Sequence, residues 1–107
     1  VCADHLRRPH PPTAIFTAQN FITVGAAHAL HDLDLHRRVA HVGFDDIELA
    51  DIVEPGISVV PQQPRELGRR AAEQLFRRIH GDRSEPIRDI IESPVIARGS
   101  GEIHPAP

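Results

Sequence analysis

The chain has 107 residues, 40% of them apolar and 25% charged, which is enough for one domain with a buried core and too short for two. Twelve basic against 15 acidic residues, a net charge of −3, argue against this segment holding a nucleic-acid backbone itself, a task that needs clustered bases. A single cysteine, Cys2, excludes an internal disulfide framework and a Cys-rich zinc site and points to a cytoplasmic setting.

Residues Val1 to Arg8 lack the apolar core of a signal peptide, and no window is apolar enough to span a membrane. The absence of an initiator Met leads us to expect a piece of a longer chain. After the proline-rich stretch Pro9 to Pro12, the run Thr13 to Ala18 is apolar and β-branched and predicts a buried strand. From Asn20, a candidate N-cap, the residues Phe21, Ile22, Val24, Ala27, Leu30 and Leu33 follow helical spacing, predicting a helix over 20–34. Its apolar residues reach nearly around the cylinder, as expected of a helix covered on two sides.

Val39 to Phe44 predicts a second strand, closed by Asp45-Asp46, so that residues 13–44 form a βαβ unit with parallel strands. Residues 47–53 are amphipathic and predict one or two helical turns, ended by Glu54-Pro55-Gly56. Ile57 to Val60 predicts a third strand. Pro64 then opens a strongly amphipathic helix over 64–80, with Leu67, Ala71, Ala72, Leu75, Phe76 and Ile79 on one stripe, arginines and acids outside it, and Gly81 as the stop. Residues 88–92 and 95–98 read as two further short strands, and 99–107 as a tail.

Polar residues recur just beyond the carboxyl ends of the predicted strands: Gln19 and Asn20 after the first, Asp45 and Asp46 after the second, Gln62 and Gln63 after the third. In a parallel sheet those loops share one edge, and amides with a carboxylate there can both donate to and accept from a neutral polyol. Helix capping would account for Asn20 alone, and a turn with a cap would account for Asp45-Asp46. Adjacent acids on a strand point to opposite faces, which makes paired acid–base catalysis a poor fit. The eight histidines, among them His28, His31, His36 and His41, lack the HExxH spacing or a Cys partner, and the metal reading is set below that of exposed surface. His41, inside a strand, reads as a satisfied buried imidazole. Neither a GxSxG nor a P-loop is present, and Gly99-Ser100-Gly101 lacks the rest of a dinucleotide fingerprint.

Three motifs in order, Pro12-Thr13-Ala14-Ile15-Phe16-Thr17-Ala18-Gln19-Asn20, Val42-Gly43-Phe44-Asp45-Asp46, and Ile57 to Gln62 running into Leu67-Gly68-Arg69-Arg70-Ala71-Ala72, resemble the C-terminal third of LacI/GalR-family transcriptional regulators. The resemblance covers about residues 11–100. It implies an α/β fold of parallel-sheet βαβ units, an incomplete fragment of a periplasmic-binding-protein-like (type I) sensor. About 13–61 and 94–102 would belong to the C-terminal subdomain and about 62–92 would contribute to the other. It further implies a cytoplasmic, non-enzymatic homodimer that binds a small polar effector, a carbohydrate or nucleoside-like molecule, without a cofactor. DNA would be bound only through a helix-turn-helix headpiece outside this chain.

Carried over residue by residue, Asp45 is the acid that bonds ligand hydroxyls and Gln62 the glutamine lining the cleft. Gln19 stands where the family usually has Asn, and Asn20 where it usually has Asp, so one carboxylate is lost. Asp34 replaces the common Gly after the first helix. Phe21, Val24, His28, Leu49 and Val53 would lie toward the dimer interface. A solute-binding protein of the same fold, serving a transporter, is the alternative reading.

Overall fold

In the computed structural model, which describes residues 1–107, the three apolar runs become parallel strands: β1 (Ala14–Thr17), β2 (Ala40–Phe44) and β3 (Ser58–Val60). They lie in the order β1-β2-β3, registered with Thr17 beside Gly43 and Phe44 beside Val60. Their carboxyl ends therefore share one edge of the sheet. The chain divides into two units, Val1–Pro61 with Pro94–Pro107, and Gln62–Ser93.

In the first unit, α1 (Cys2–Leu6) precedes β1, and α2 (Asn20–Asp32) links β1 to β2. Residues 2–6 carry no cap or periodic pattern from which the sequence predicts an element. Leu6 is nonetheless buried with Leu30 and Val39, and Cys2, Ile15, Leu33 and Leu35 pack around them. Each such buried aliphatic contributes about 1.5–3 kcal/mol. A second cluster joins Ala50, Ile57 and Val59, with Ala27, Ile47 and Val53 against it. The helix α2 thus contributes to both clusters, through Leu30 to the first and Ala27 to the second.

The end of α2 is a Schellman motif. Asp34 N–H donates to His31 O at 3.0 Å and Leu35 N–H to Leu30 O at 2.8 Å, with Asp34 in the left-handed region at φ 56°. Leu35 packs against Leu30, the apolar contact that accompanies this cap.

Several expectations are corrected. Asn20 is the first helical residue and Gln19 the N-cap; Asn20 Oδ1 instead accepts from the adjacent Phe21 N–H at 2.8 Å. Residues 47–53 form turns, not helix, because Leu49 sits at φ 67°, which interrupts helical geometry. Residues 95–98 form no strand beyond an antiparallel bridge in which Ile96 and Val59 exchange backbone bonds of 2.8 and 3.1 Å. Residues 88–92 have no regular structure. The expected tail contains a short 3-10 helix, Ser100–Glu102, with Ser100 buried.

In the second unit, α3 (Pro64–Ile79) starts with proline in its first turn and ends at Gly81, φ 100°. A Schellman pair, Gly81 N–H to Arg78 O and Asp82 N–H to Arg77 O, closes it. None of its residues is buried, and Leu67, Leu75, Phe76 and Ile79 remain exposed. Its polar face is laced by ion pairs: Glu66 with Arg69 and Arg70, Arg69 with Glu73, and Arg70 with Asp89. The two guanidiniums hold the Glu66 carboxyl at about 2. No helix of the chain is long and apolar enough to cross a membrane.

Candidate functional site

Parallel pairing puts the carboxyl ends of β1, β2 and β3 at one edge of the sheet, and polar residues come soon after each strand in the chain. Gln19 is exposed and Asn20 half-buried at the start of α2, separated from β1 by Ala18 alone. Asp45, half-buried, directly follows β2, and its N–H donates to Val60 O at 2.8 Å, so the mouths of β2 and β3 are tied together. Gln62 is exposed, two residues after β3, and opens the second unit.

Asp45 adopts φ 75°, a region that Asp tolerates because its short side chain bonds the local backbone. Here Asp45 Oδ1 accepts the Asp46 N–H at 2.9 Å. Asp46 points elsewhere. Its carboxylate accepts the Ile47 N–H at 2.9 Å and meets Arg98 in a fork, Nη1 to Oδ1 at 2.7 Å and Nη2 to Oδ2 at 2.9 Å. The Arg98 hydrogen bonds hold the Asp46 carboxyl below the usual carboxylate range. The two acids thus differ: the Asp46 carboxylate is taken up by Arg98, whereas that of Asp45 bonds the adjacent backbone and has no ion pair.

Beneath this edge lies a buried polar network. Thr17 Oγ1 is 2.7 Å from Thr23 Oγ1 and 3.0 Å from His41 Nε2, and Thr23 Oγ1 donates to Gln19 O at 3.1 Å. His41, 2% exposed, is the satisfied strand imidazole expected of it, and burial pushes its pKa below the ordinary histidine value. Gly43 makes the approach possible, since a Cβ there would lie 2.6 Å from Thr23 Oγ1.

A second network joins β3 to residues 98–102. Ser100 Oγ donates to His41 O at 2.6 Å and accepts the Ser58 N–H at 2.9 Å. Ser58 Oγ donates to Glu102 Oε1 at 3.0 Å and accepts the N–H groups of Arg98 and Gly101 at 3.0 and 3.1 Å. Arg98 belongs to no motif singled out in the sequence, and neither Ser58, inside the third motif, nor Ser100, between two glycines, is marked there as a bonding residue. The one local sign is the pair of glycines around Ser100: a Cβ on Gly101 would lie 2.9 Å from Val42 Cγ2.

On α2, Phe21 and Val24 are exposed, as is Leu49 in the turn segment. Val24, His28, Leu49 and Val53 line one apolar groove of about 360 Å³; Phe21 lies outside its lining. His31 stacks on His36 with centroids 4.1 Å apart, while His41 is inside the sheet; no three His, Cys, Asp or Glu side chains converge as metal ligands. A larger apolar cavity of about 520 Å³ follows the free edge of β1 past Ile15, Phe16 and Ile22, and none of Gln19, Asn20, Asp45 or Gln62 lines it.

Residues 1–101 match the periplasmic binding protein-like domain family. The chain is 31% identical over 98 residues to the HTH-type transcriptional regulator KdgR of Bacillus subtilis, covering 90% of this chain and 29% of that protein. It is 37% identical over 76 residues to the ribose operon repressor of Escherichia coli, covering 69% and 23%. Among solved structures, a putative LacI transcriptional regulator from Bacillus cereus subsp. cytotoxis superposes with a TM-score of 0.82 at 27% identity, covering 94% of this chain and 36% of that one. The chain therefore spans about a quarter of the length of these curated relatives.

Proposed function

The chain belongs to the periplasmic-binding-protein-like domain family, in its branch of LacI/GalR-type transcriptional regulators, and we propose that it is the part of such a regulator that binds effector and dimerises. The effector is a small polar molecule, a carbohydrate or nucleoside-like compound, bound through Gln19, Asn20, Asp45 and Gln62. One observation carries this reading: parallel register brings the mouths of β1, β2 and β3 to one edge, and Asp45 there keeps a carboxylate clear of any ion pair. A carboxylate flanked by amides accepts and donates to adjacent hydroxyls, the pattern of a polyol site. For Gln62 the support is its place in the sequence, two residues after β3.

The relatives' names favour a regulator over a transporter's solute-binding protein and over an enzyme, and one of them names a ribose operon. DNA binding falls to a helix-turn-helix headpiece elsewhere in the intact cytoplasmic protein. The segment Gln62–Ser93 supplies part of the sensor's other subdomain, a role supported by its separation as a unit and by the absence of any buried residue in α3. Dimerisation uses the α2 face and the turn after Asp46, with Phe21, Val24, His28, Leu49 and Val53.

Calorimetric titration of the intact regulator with D-ribose, D-glucose, D-galactose and adenosine tests the site. Saturable binding of at least one of them is expected, weakened about tenfold or more by Asp45→Ala and by Gln62→Ala. A ligand that bound both variants as tightly as the parent would overturn the assignment of these residues.

A further inference from the structure

We propose that Arg98 is a positioning residue for effector binding: it fixes the Asp45–Asp46 turn and ties it to the segment by which the chain re-enters the first unit. The proposal rests on the reading of Asp45 as a ligand contact and adds how that contact is held and what moves it.

The chain leaves the first unit after Pro61 and returns at Pro94, so Arg98 lies just inside the return. That return is pinned along β3 by the Ile96–Val59 backbone pair and by the Arg98 N–H on Ser58 Oγ. The Arg98 side chain is 19% exposed and runs from there to the turn after β2, with Nη1 also donating to Ile57 O at 3.3 Å. Its fork occupies both Asp46 oxygens, which fixes the plane of that carboxylate as a single-point contact from lysine would not. Asp46 in turn supplies the N–H that orients Asp45 Oδ1.

One physical cost calls for such a clamp. Asp45 is held in a left-handed conformation that a non-glycine residue seldom occupies. Arg98 neutralises the Asp46 carboxylate and leaves that of Asp45 without an ion pair. Every link is local: Arg98 to Asp46, Asp46 to Asp45, Asp45 N–H to Val60 O. A displacement of residues 94–98 is therefore delivered to Asp45, and by linkage a ligand on Asp45 biases the return segment to the same extent.

The test is a mutant cycle in the intact regulator, using whichever of D-ribose, D-glucose, D-galactose and adenosine binds, alongside hydrogen exchange without ligand. Arg98→Gln is expected to weaken binding about tenfold and Arg98→Lys less, since lysine keeps the charge and loses the fork. In an Asp45→Ala background, Arg98→Gln should cost nothing further, because Arg98 acts through Asp45. Without ligand, Arg98→Gln should speed exchange of the Asp46 and Ile47 amides while core amides such as Val59 keep their protection. Affinity unchanged in Arg98→Gln, or lost by the same factor with and without Asp45, overturns the clamp. Failure of Asp45→Ala to weaken binding overturns the site reading instead. Should none of the four compounds bind, the exchange rates of Asp46 and Ile47 alone decide: unchanged rates in Arg98→Gln reject the clamp, and faster ones uphold it.

Discussion

His41 shows how one residue couples the site's support to solution conditions. It is 2% exposed at the centre of the sheet, bonded to Thr17, and burial depresses its pKa. The unfolded chain takes up a proton as pH falls through about 6.5, while the folded chain keeps this imidazole neutral to lower pH. Stability is therefore complete above the unfolded value and falls below it, by up to about 1.4 kcal/mol per pH unit, until the folded pKa is reached. Thermal melts between pH 7.5 and pH 5, values chosen to span that roughly one-proton window, should show this decline, and His41→Gln should flatten it. An equally steep decline in the variant would assign the acid sensitivity to other groups. Residues 39–44 identify His41 as strand interior; its partners Thr17 and Thr23 become visible only when β1 and α2 lie against β2.

At the scale of elements, the caps matter more than the stripes. The helix α3 places Gly81 at its left-handed stop, whereas α2 places Asp34 in the same role. Asp tolerates that region but carries a Cβ penalty that glycine avoids. Asp34→Gly should raise stability by about 0.5–1 kcal/mol, read as a higher melting temperature, because the Schellman bonds stay in place and only a 4.0 Å contact to His36 is lost. A fall in melting temperature would mean that the His36 contact outweighs the conformational relief. Periodicity predicts helical turns at 47–53 and a strand at 95–98, where the structure has turns and a single bridge. A short apolar alternation does not reveal a positive φ at Leu49, nor that Ile96 has only Val59 to pair with.

For the whole molecule, the consequence of the fold is the apolar surface it leaves in water. The helix α2 reads as apolar nearly all round, and the structure buries only Thr23, Ala26 and Leu30, leaving Phe21, Ile22 and Val24 exposed. Val24 and Leu49 converge on one groove from segments 25 residues apart in sequence. In the proposed dimer that groove is covered by a second copy, so Val24→Glu combined with Leu49→Glu should shift the intact protein from dimer to monomer in sedimentation velocity. Far-ultraviolet circular dichroism should stay unchanged, since neither side chain is buried in this chain. A dimer that survived both charges would move the interface elsewhere.

The succession of strand, helix, strand, turn, strand and amphipathic helix is legible in the residues alone, because hydrophobic period, proline and glycine act over a few residues. So is the run of polar residues after each strand, which makes Gln19, Asn20, Asp45 and Gln62 candidates. Tertiary structure alone decided which of two adjacent acids is spent on Arg98 and which is left without an ion pair, since Asp46 and Arg98 are 52 residues apart. It alone decided that Ser58 and Ser100, 42 residues apart, close the sheet against the returning chain, and that Gly43 and Gly101 are needed for close approach. Periodicity reports which face of an element is apolar; it carries no record of what distant segment arrives to meet a polar group.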